Sequence, residues 1–391
     1  MKGGRPTRTL GEVLTVQNGY AFDSKAFNAS EGMPLIRIRD LKIGTGTETR
    51  FIGDYDEKYV VKAGDLLIGM DGEFVCFEWK GSPALLNQRV CRLQGFSSDL
   101  LPRFLFYGVN SHLKSIEDVT GYATVKHISS KQILNIEFPL PPFPEQQRIV
   151  GILDEAFEGI ATANTNAEKN LQNAHALFES HLNSVFTQHG PEWQIKKLGE
   201  VCSYLNRGIS PRYIEVGGIC VLNQKCVRNH LVSYEPSRRH DEKAKKVGRD
   251  RLIQAGDVLV NSTGTGTLGR VAQLRENPQE PTTVDSHVTI VRPTPRKFFT
   301  EFFGYMLIFI ENAIKEAGEG CGGQTELARS VLAEKFSVHY PVSLKEQERH
   351  VAKLDTLSAE TQRLATLYKC KLAALESLKK SLLNQAFIGE L

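Results

Sequence analysis

Apolar positions recur at seven-residue spacing in two long stretches of this chain. In the first, residues 144–186, Leu153, Ile160, Ala167 and Ala174 form one series. Phe157, Leu171, Phe178 and Val185 form the other, with Asn164 interrupting it. In the second stretch, Leu354, Tyr368, Leu375 and Leu382 stand beside Leu357, Leu364 and Leu378, with Thr361 and Lys371 as polar breaks. A period of 3.5 residues is the seam of a coiled coil. No Pro follows Pro144 until Pro191, so the pattern predicts an unbroken helix of some 42 residues, roughly 63 Å long. Helices lying singly on their domains are the plainer alternative, but sustained heptads favour a pair.

The two stretches are copies. A slide of 201 positions pairs Glu145 with Glu346, Arg148 with Arg349, Val150 with Val351, Leu153 with Leu354, Asp154 with Asp355 and Phe186 with Phe387. The segments before them also repeat. Thr9-Leu10-Gly11-Glu12-Val13 is answered by Lys197-Leu198-Gly199-Glu200-Val201, and Ala63-Gly64-Asp65-Leu66-Leu67 by Ala255-Gly256-Asp257-Val258-Leu259. Duplication at this range makes two copies of one design. The layout is a mixed domain at 1–143, a helix at 144–189, a second mixed domain at 190–343 and a closing helix at 344–391. Within the first domain, Pro34–Asp40 alternates as a half-buried strand. Val60–Ile68 is a Gly-Asp turn feeding a strand, Leu85–Leu93 another strand, and Pro102–Ile116 a helix. Thr120–Ile128 reads as a polar loop. In the second domain, Val284–Val288 answers the strand at Asn87, Glu301–Ile314 the helix, and Gly322–Leu327 the loop. The offset grows from 188 to 192 to 201, as loop insertions on a shared scaffold would make it; such loops carry function.

Composition narrows little. An apolar fraction of 41%, a charged fraction of 24% and a net charge of +3 are those of an ordinary soluble protein, permitting nucleic acid without arguing for it. Seven cysteines make no CxxC pair, so they read as reduced thiols of a cytoplasmic protein. The longest apolar run, Phe302–Ile310, is far below the ~20 residues of a membrane span.

Catalytic motifs are missing. Gly264-Thr265-Gly266-Thr267-Leu268-Gly269 matches GxGxxG, but no helix opens in it. It reads as a strand-to-strand loop, Asn261 to Arg270, whose hydroxyls and backbone donors suit phosphate and base edges. Lys225 to Arg251 holds nine Lys/Arg against four acids, either a solvated surface or a phosphate-neutralising one. Pro141-Pro142-Phe143 follows Leu140 rather than the polar residue of an amino-methyltransferase motif. Asp65, Asp71 and Glu73 lack the nearby Lys of a nuclease site and read as turn and surface carboxylates.

The ordered set of motifs resembles the specificity subunits of type I restriction–modification enzymes. Phe138–Val150 looks like the junction between a target-recognition domain and a helix in that family. Gly19–Phe27, Ala63–Leu67, Leu86–Val90, Thr263–Arg270 and Leu383–Leu391 resemble further family segments, so the likeness spans essentially the whole chain. It implies an α+β fold in which two target-recognition domains, related by pseudo-two-fold symmetry, are joined by two long helices forming an antiparallel coiled coil. It further implies a non-catalytic subunit without a cofactor of its own. Each domain would read half of a split target in double-stranded DNA. Two modification (methyltransferase) subunits would carry S-adenosylmethionine, and two restriction (translocase/nuclease) subunits would use ATP and Mg2+. A scaffold that binds protein rather than DNA is the alternative.

Loop residues are the expected readers, since Arg and Lys suit guanine and Asn and Gln suit adenine. In the first domain they are Tyr20, Phe22, Ser24, Arg37, Arg39, Asp40, Asp71, Glu73, Asn87, Gln88, Arg89, Lys126 and His127. In the second they are Arg207, Ser210, Arg212, Tyr213, Asn223, Gln224, Lys225, Ser262, Thr263, Thr265, Thr267, Arg270, Ser286, His287, Gln324 and Thr325. No metal ligand set is expected.

Overall fold

A computed structural model of the chain describes residues 6–121, 126–188, 190, 192–318 and 326–391. The chain forms two compact units. One comprises Met1–Ala167 with Cys370–Leu391, the other Glu168–Lys369. These units cut across the four-part layout above, because each long helix is shared between them.

The first unit is built on a four-stranded antiparallel sheet, in the order Thr15–Asn18, Val90–Gln94, Leu66–Gly69, Cys76–Glu78. Beside it stands a five-stranded sheet in which Met33–Ile36 runs parallel to Ala84–Leu86. The helix Pro102–Val119 opens with Pro at its first position, where the missing N–H costs nothing. It buries Phe104, Leu105, Val109 and Leu113 in a core with Ile68, Leu93 and Phe138. Two sequence expectations need correction. The strand at Pro34 ends at Ile36, and Ile38–Leu41 is a short helix; the Asp40 carboxylate accepts the Arg37 N–H at 2.9 Å, a local bond that competes with the sheet. Leu85–Leu93 is two strands, Ala84–Leu86 and Val90–Gln94. Between them Asn87 Oδ1 accepts the Gln88 N–H at 2.9 Å and Arg89 adopts φ 69°.

The second unit repeats the core sheet in the same order: Cys202–Arg207, Val288–Pro293, Val258–Asn261, Val271–Gln273. A neighbouring sheet again holds a parallel pair, Ile219–Leu222 with Thr282–Val284. The helix expected over Glu301–Ile314 breaks at Ile310 into Thr300–Phe309 and Glu311–Gly318. From this second piece Glu311 reaches the Val271 N–H, which it accepts at 2.9 Å. The run Asn261–Arg270 does connect two strands, and it is tightly bonded: Thr267 and Leu268 N–H groups donate to Gly264 O at 3.1 and 3.0 Å.

The long helices span Phe143–Thr187 and Leu344–Ile388, 45 residues each. In the first unit, Ile149, Val150 and Leu153 share a core with Ala386, and Phe157, Leu382, Leu383 and Phe387 pack on it. In the second unit, Leu182, Val185 and Phe186 share a core with Val351 and Leu354. Within each unit the start of one helix thus meets the end of the other, which is antiparallel pairing. The expected seam shifts on the second helix. Leu378 is exposed, whereas Thr361 and Ala365 are buried and Leu372 half-buried. Thr361 enters the stripe because its Oγ1 donates to Leu357 O at 2.8 Å, satisfying the hydroxyl inside its own helix.

A buried glutamine ties each helix start to its unit. Gln146 Nε2 donates to Pro141 O and Asp99 O at 2.9 and 2.7 Å, and its Oε1 accepts the Leu101 N–H at 2.8 Å. Gln347, 201 positions on, donates to Pro341 O at 2.8 Å and accepts the Phe299 N–H at 2.8 Å. Both are fully buried. About two turns later the repeated aspartates make matching contacts. Asp154 holds Arg103 (2.9 Å) and Tyr107, and Asp355 holds Arg275 (2.8 Å) and Tyr305 (2.6 Å). Burial, with the adjacent carboxylate, pushes the Tyr107 hydroxyl up to about 12. Gln347→Ala would leave a buried N–H and carbonyl unpaired and should cost about 2–3 kcal/mol, read as a lower urea midpoint at unchanged slope. Exposed Gln362→Ala in the same helix should change stability by less than about 0.5 kcal/mol.

Candidate nucleic-acid interface

At the end of the core sheet of each unit, four loop segments are locked together by the same backbone hydrogen bonds. In the first unit Met70 N–H donates to Arg89 O (2.8 Å), Ile128 N–H to Met70 O (2.9 Å), Tyr20 N–H to Leu86 O (2.9 Å) and Gly19 N–H to Val90 O (2.9 Å). In the second, Ser262 N–H donates to His287 O (2.8 Å), Leu327 N–H to Ser262 O (2.8 Å), Ile209 N–H to Val284 O (2.9 Å) and Gly208 N–H to Val288 O (3.0 Å). The glycines are required here. A Cβ on Gly19 would collide with Asn87 O, and one on Gly208 with Val284 O.

This frame aligns residues across the repeat. Asp71 answers Thr263, Asn87 answers Asp285, Arg89 answers His287, and His127 answers Glu326, the last pairing through the bridges Asp71–His127 and Thr263–Glu326. Arg37 answers Asn223, each at the N-cap position of a short helical turn. Equal backbones therefore present unequal side chains.

In the first unit the Asp71 carboxylate organises two donors. His127 Nδ1 lies 2.7 Å from Asp71 Oδ1 and Arg89 Nε 3.5 Å from Oδ2. A carboxylate only accepts, so Nδ1 carries the proton and Nε2 is left for another partner. Arg89, Gln88 and Tyr20 are exposed beside them, Tyr20 resting on Phe22 and Tyr59 at 5.1 and 5.2 Å. Arg37 Nε and Nη2 are buried without a hydrogen-bond acceptor among the described residues. Four expected readers serve the frame or core instead. Phe22 is buried with Leu35 and Phe51, Asp40 and Asn87 are buried with their carboxylate and amide turned to backbone N–H groups, and Lys126 donates to Glu117 O at 2.6 Å. Arg39 lines a shallow hollow with Asp71 and Glu73, Glu73 pairs with Lys42 at 2.8 Å, and Ser24 lies in the exposed turn Ser24–Ala26.

In the second unit Thr263 Oγ1 hydrogen-bonds His287 Nδ1 at 2.6 Å, and Arg207 bridges Glu326 (2.6 Å) and Leu327 O (2.9 Å). Tyr213 is covered by the Arg238 guanidinium, 3.6 Å from its ring centroid. Arg212, Ser210, Lys225 and Thr265 are exposed and Ser286 half-buried. Ser262 is fully buried against Thr289, which removes it from the surface. Gln224 Oε1 accepts from Thr267 Oγ1 at 3.0 Å, so these two brace the loop that ends at Arg270, whereas Asn223 Oδ1 accepts the Lys225 N–H at 2.8 Å and caps its own turn. Gln324 and Thr325 lie outside the described residues. Asp285, Glu326 and Arg238 were not among the expected readers; aligning Asn87 and His127 across the repeat is the signal that finds the first two. Among the described residues no cluster of His, Cys, Asp and Glu could hold a metal ion, and no helix is long and apolar enough to cross a membrane.

Known proteins share the duplicated domain. The family model of the type I restriction modification DNA specificity domain matches residues 5–172 and again 191–369. The EcoBI type I restriction enzyme specificity subunit of Escherichia coli is 28% identical over 98% of this chain and 85% of its own length. That of EcoAI, also from Escherichia coli, is 29% identical over 38% of this chain and 28% of its own length. Among solved structures, a chain from work on the assembly and conformational transition of a type I R-M system has a TM-score of 0.75 at 20% identity, covering 100% of this chain and 99% of that one. The HsdS subunit of Thermoanaerobacter tengcongensis gives 0.56 at 19%, covering 100% and 98%. At such identities the structural likeness speaks to the fold. Matched twice and over most of its length, the chain belongs to the type I restriction–modification DNA specificity family.

Asp285 offers a test of the frame. Burial lifts its carboxyl above the ordinary range, with the His287 N–H and ring and Tyr213 pulling the other way. A raised native pKa favours folding only below the unfolded pKa, an advantage lost as pH rises through the native value. Asp285→Asn, which copies Asn87, should therefore raise the melting temperature at neutral pH. The gain should shrink as pH falls to the ordinary carboxylate range near 4.

Proposed function

We propose that this chain is the non-catalytic DNA-reading subunit of a type I restriction–modification complex, each unit taking one half of a bipartite, asymmetric target in duplex DNA. The observation that carries the reading is the doubled loop frame with unlike polar residues on it. Three of its four segments present Asp71, Arg89 and His127 in one unit and Thr263, His287 and Glu326 in the other. Two copies of one scaffold with different hydrogen-bonding edges fit two different half-sites, because base identity in the major groove is a pattern of donors and acceptors. Arg89 suits the O6 and N7 of guanine. The exposed Lys243, Lys245, Lys246 and Arg249 would supply affinity without sequence, through phosphate contacts.

On this reading the paired helices set the unread gap and dock two modification subunits. Adenine N6 methylation belongs to those partners and their S-adenosylmethionine, and DNA cleavage to restriction subunits using ATP and Mg2+. This chain holds and presents the duplex and carries no cofactor itself.

The test is reconstitution with the modification subunit and mapping of methylated adenines. Arg89→Ala should lower methylation of the wild-type target by roughly 10- to 100-fold, the worth of one good bidentate base contact, and relax only one half of the site. The triple change Thr263→Asp, His287→Arg, Glu326→His should alter only the other half. Methylation by the chain alone, or variants that degrade both halves equally, would refute the assignment. Inserting four residues, about one turn, into the first long helix alone should change the tolerated gap or abolish specific methylation.

A further inference from the structure

The second unit holds a polar cavity of about 350 Å³ that the loop frame does not use. It is lined by Arg228, Asn229, His230, Arg270, Val271, Glu311 and Lys315. Three elements converge there: the hairpin of Val227–Arg228 and Leu231–Val232, the end of the loop 261–270, and the helix Glu311–Gly318. The hairpin turns through Asn229 and His230, both left-handed at φ 54° and 60°. Such a turn suits Asn, but a second central residue other than Gly is unusual. It places His230 Nε2 3.2 Å from Glu311 Oε2.

The charges in the cavity do not balance. Glu311 is its one carboxylate, and it is already engaged by the Val271 N–H, His230 and Lys315. Burial alone would raise its pKa, but those three donors outweigh burial and hold it below the usual carboxylate range, so it stays ionised. The Arg228 guanidinium has no partner among the described residues, and Arg270 donates only to Gly266 O, at 2.8 Å. Arg228, Arg270 and Lys315 against Glu311 leave two positive charges facing one hollow. The fold does not demand this arrangement. In the first unit the same job, accepting the N–H that opens the last strand of the core sheet, is done by neutral Asn110, whose Oδ1 accepts the Cys76 N–H at 2.7 Å.

The geometry points to a phosphate-binding site peculiar to the second unit, in which Arg228 and Arg270 clamp a backbone phosphate of the duplex while Glu311 fixes Lys315 and His230 around it. The inference rests on the DNA-reading assignment and adds a sequence-independent contact to one half of the complex only. Arg270 also ends the loop that carries Thr263, so the clamp adjoins the reading frame and would set the register of that unit on the groove.

The test uses the full chain in complex with its modification subunits and measures target-duplex affinity between about 50 and 200 mM KCl. The Arg228→Gln, Arg270→Gln double variant should lower the slope of log K against log salt by about 1, near the 0.9 expected for one phosphate. It should weaken target and scrambled duplexes by the same factor, and Arg228→Lys with Arg270→Lys should restore most of the slope. An unchanged urea midpoint shows that the variants fold. A wild-type complex with no target preference defeats the DNA-reading assignment itself. A wild-type complex that binds normally beside a double variant with unchanged slope, or with a changed base preference, overturns only the clamp. So does stabilisation of the chain by inorganic phosphate, over chloride at equal ionic strength, without any change in DNA slope.

Discussion

Gln146 and Gln347 each enter a long helix with both ends of the side-chain amide spent on backbone groups of the loops and helix that precede it. A buried amide of this kind has a single geometry that satisfies donors and acceptor together, and any other leaves polar atoms stranded in apolar surroundings. This is why the helix start is rigidly continuous with the mixed domain in each unit. The aromatic packing follows from it: Phe104, Phe138 and Phe387 in the first unit, and Phe186, Trp193 and Phe302 in the second. Rotating the helix about its own axis would break the glutamine bonds and the Asp154 or Asp355 contacts about two turns on.

The same economy appears at the loops. Backbone hydrogen bonds and two glycines without room for a Cβ determine where the loops lie, and those bonds are indifferent to which side chains they carry. Side-chain chemistry is then free to diverge. Asp71 binds His127 and Arg89 in one unit, whereas Thr263 binds His287 and Arg207 binds Glu326 in the other. A scaffold that separates position from chemistry in this way can take new specificity without rebuilding its core. Comparison of Asn110 with Glu311 makes the same point: one structural duty is met by a neutral group on one side and by a charge with an excess of cations on the other.

Much of this was legible in the amino-acid order. Heptad spacing gave the two 45-residue helices to within three residues of their ends, since a long stretch without Pro and with one apolar stripe has no competing solution. The internal repeat gave two copies of one domain in the same element order. Local chemistry was harder to read. Asp40 looked like a surface reader and is a buried cap, because a short carboxylate three residues past an extended residue folds back on its own backbone. Phe22 and Ser262 looked exposed in their loops, yet their side chains point inward. Leu378 looked like a seam position, but the stripe runs through Ala365 and Leu372.

By itself, then, the amino-acid order determined periodicity, duplication and the family these motifs match, all properties carried by spacing along the chain. Only the tertiary structure decided which loop residues share a surface. Asp71, Arg89 and His127 are up to 56 positions apart, and Arg228, Arg270 and Lys315 come from three elements. Their meeting depends on strand order and on backbone bonds between distant loops, which no local pattern encodes.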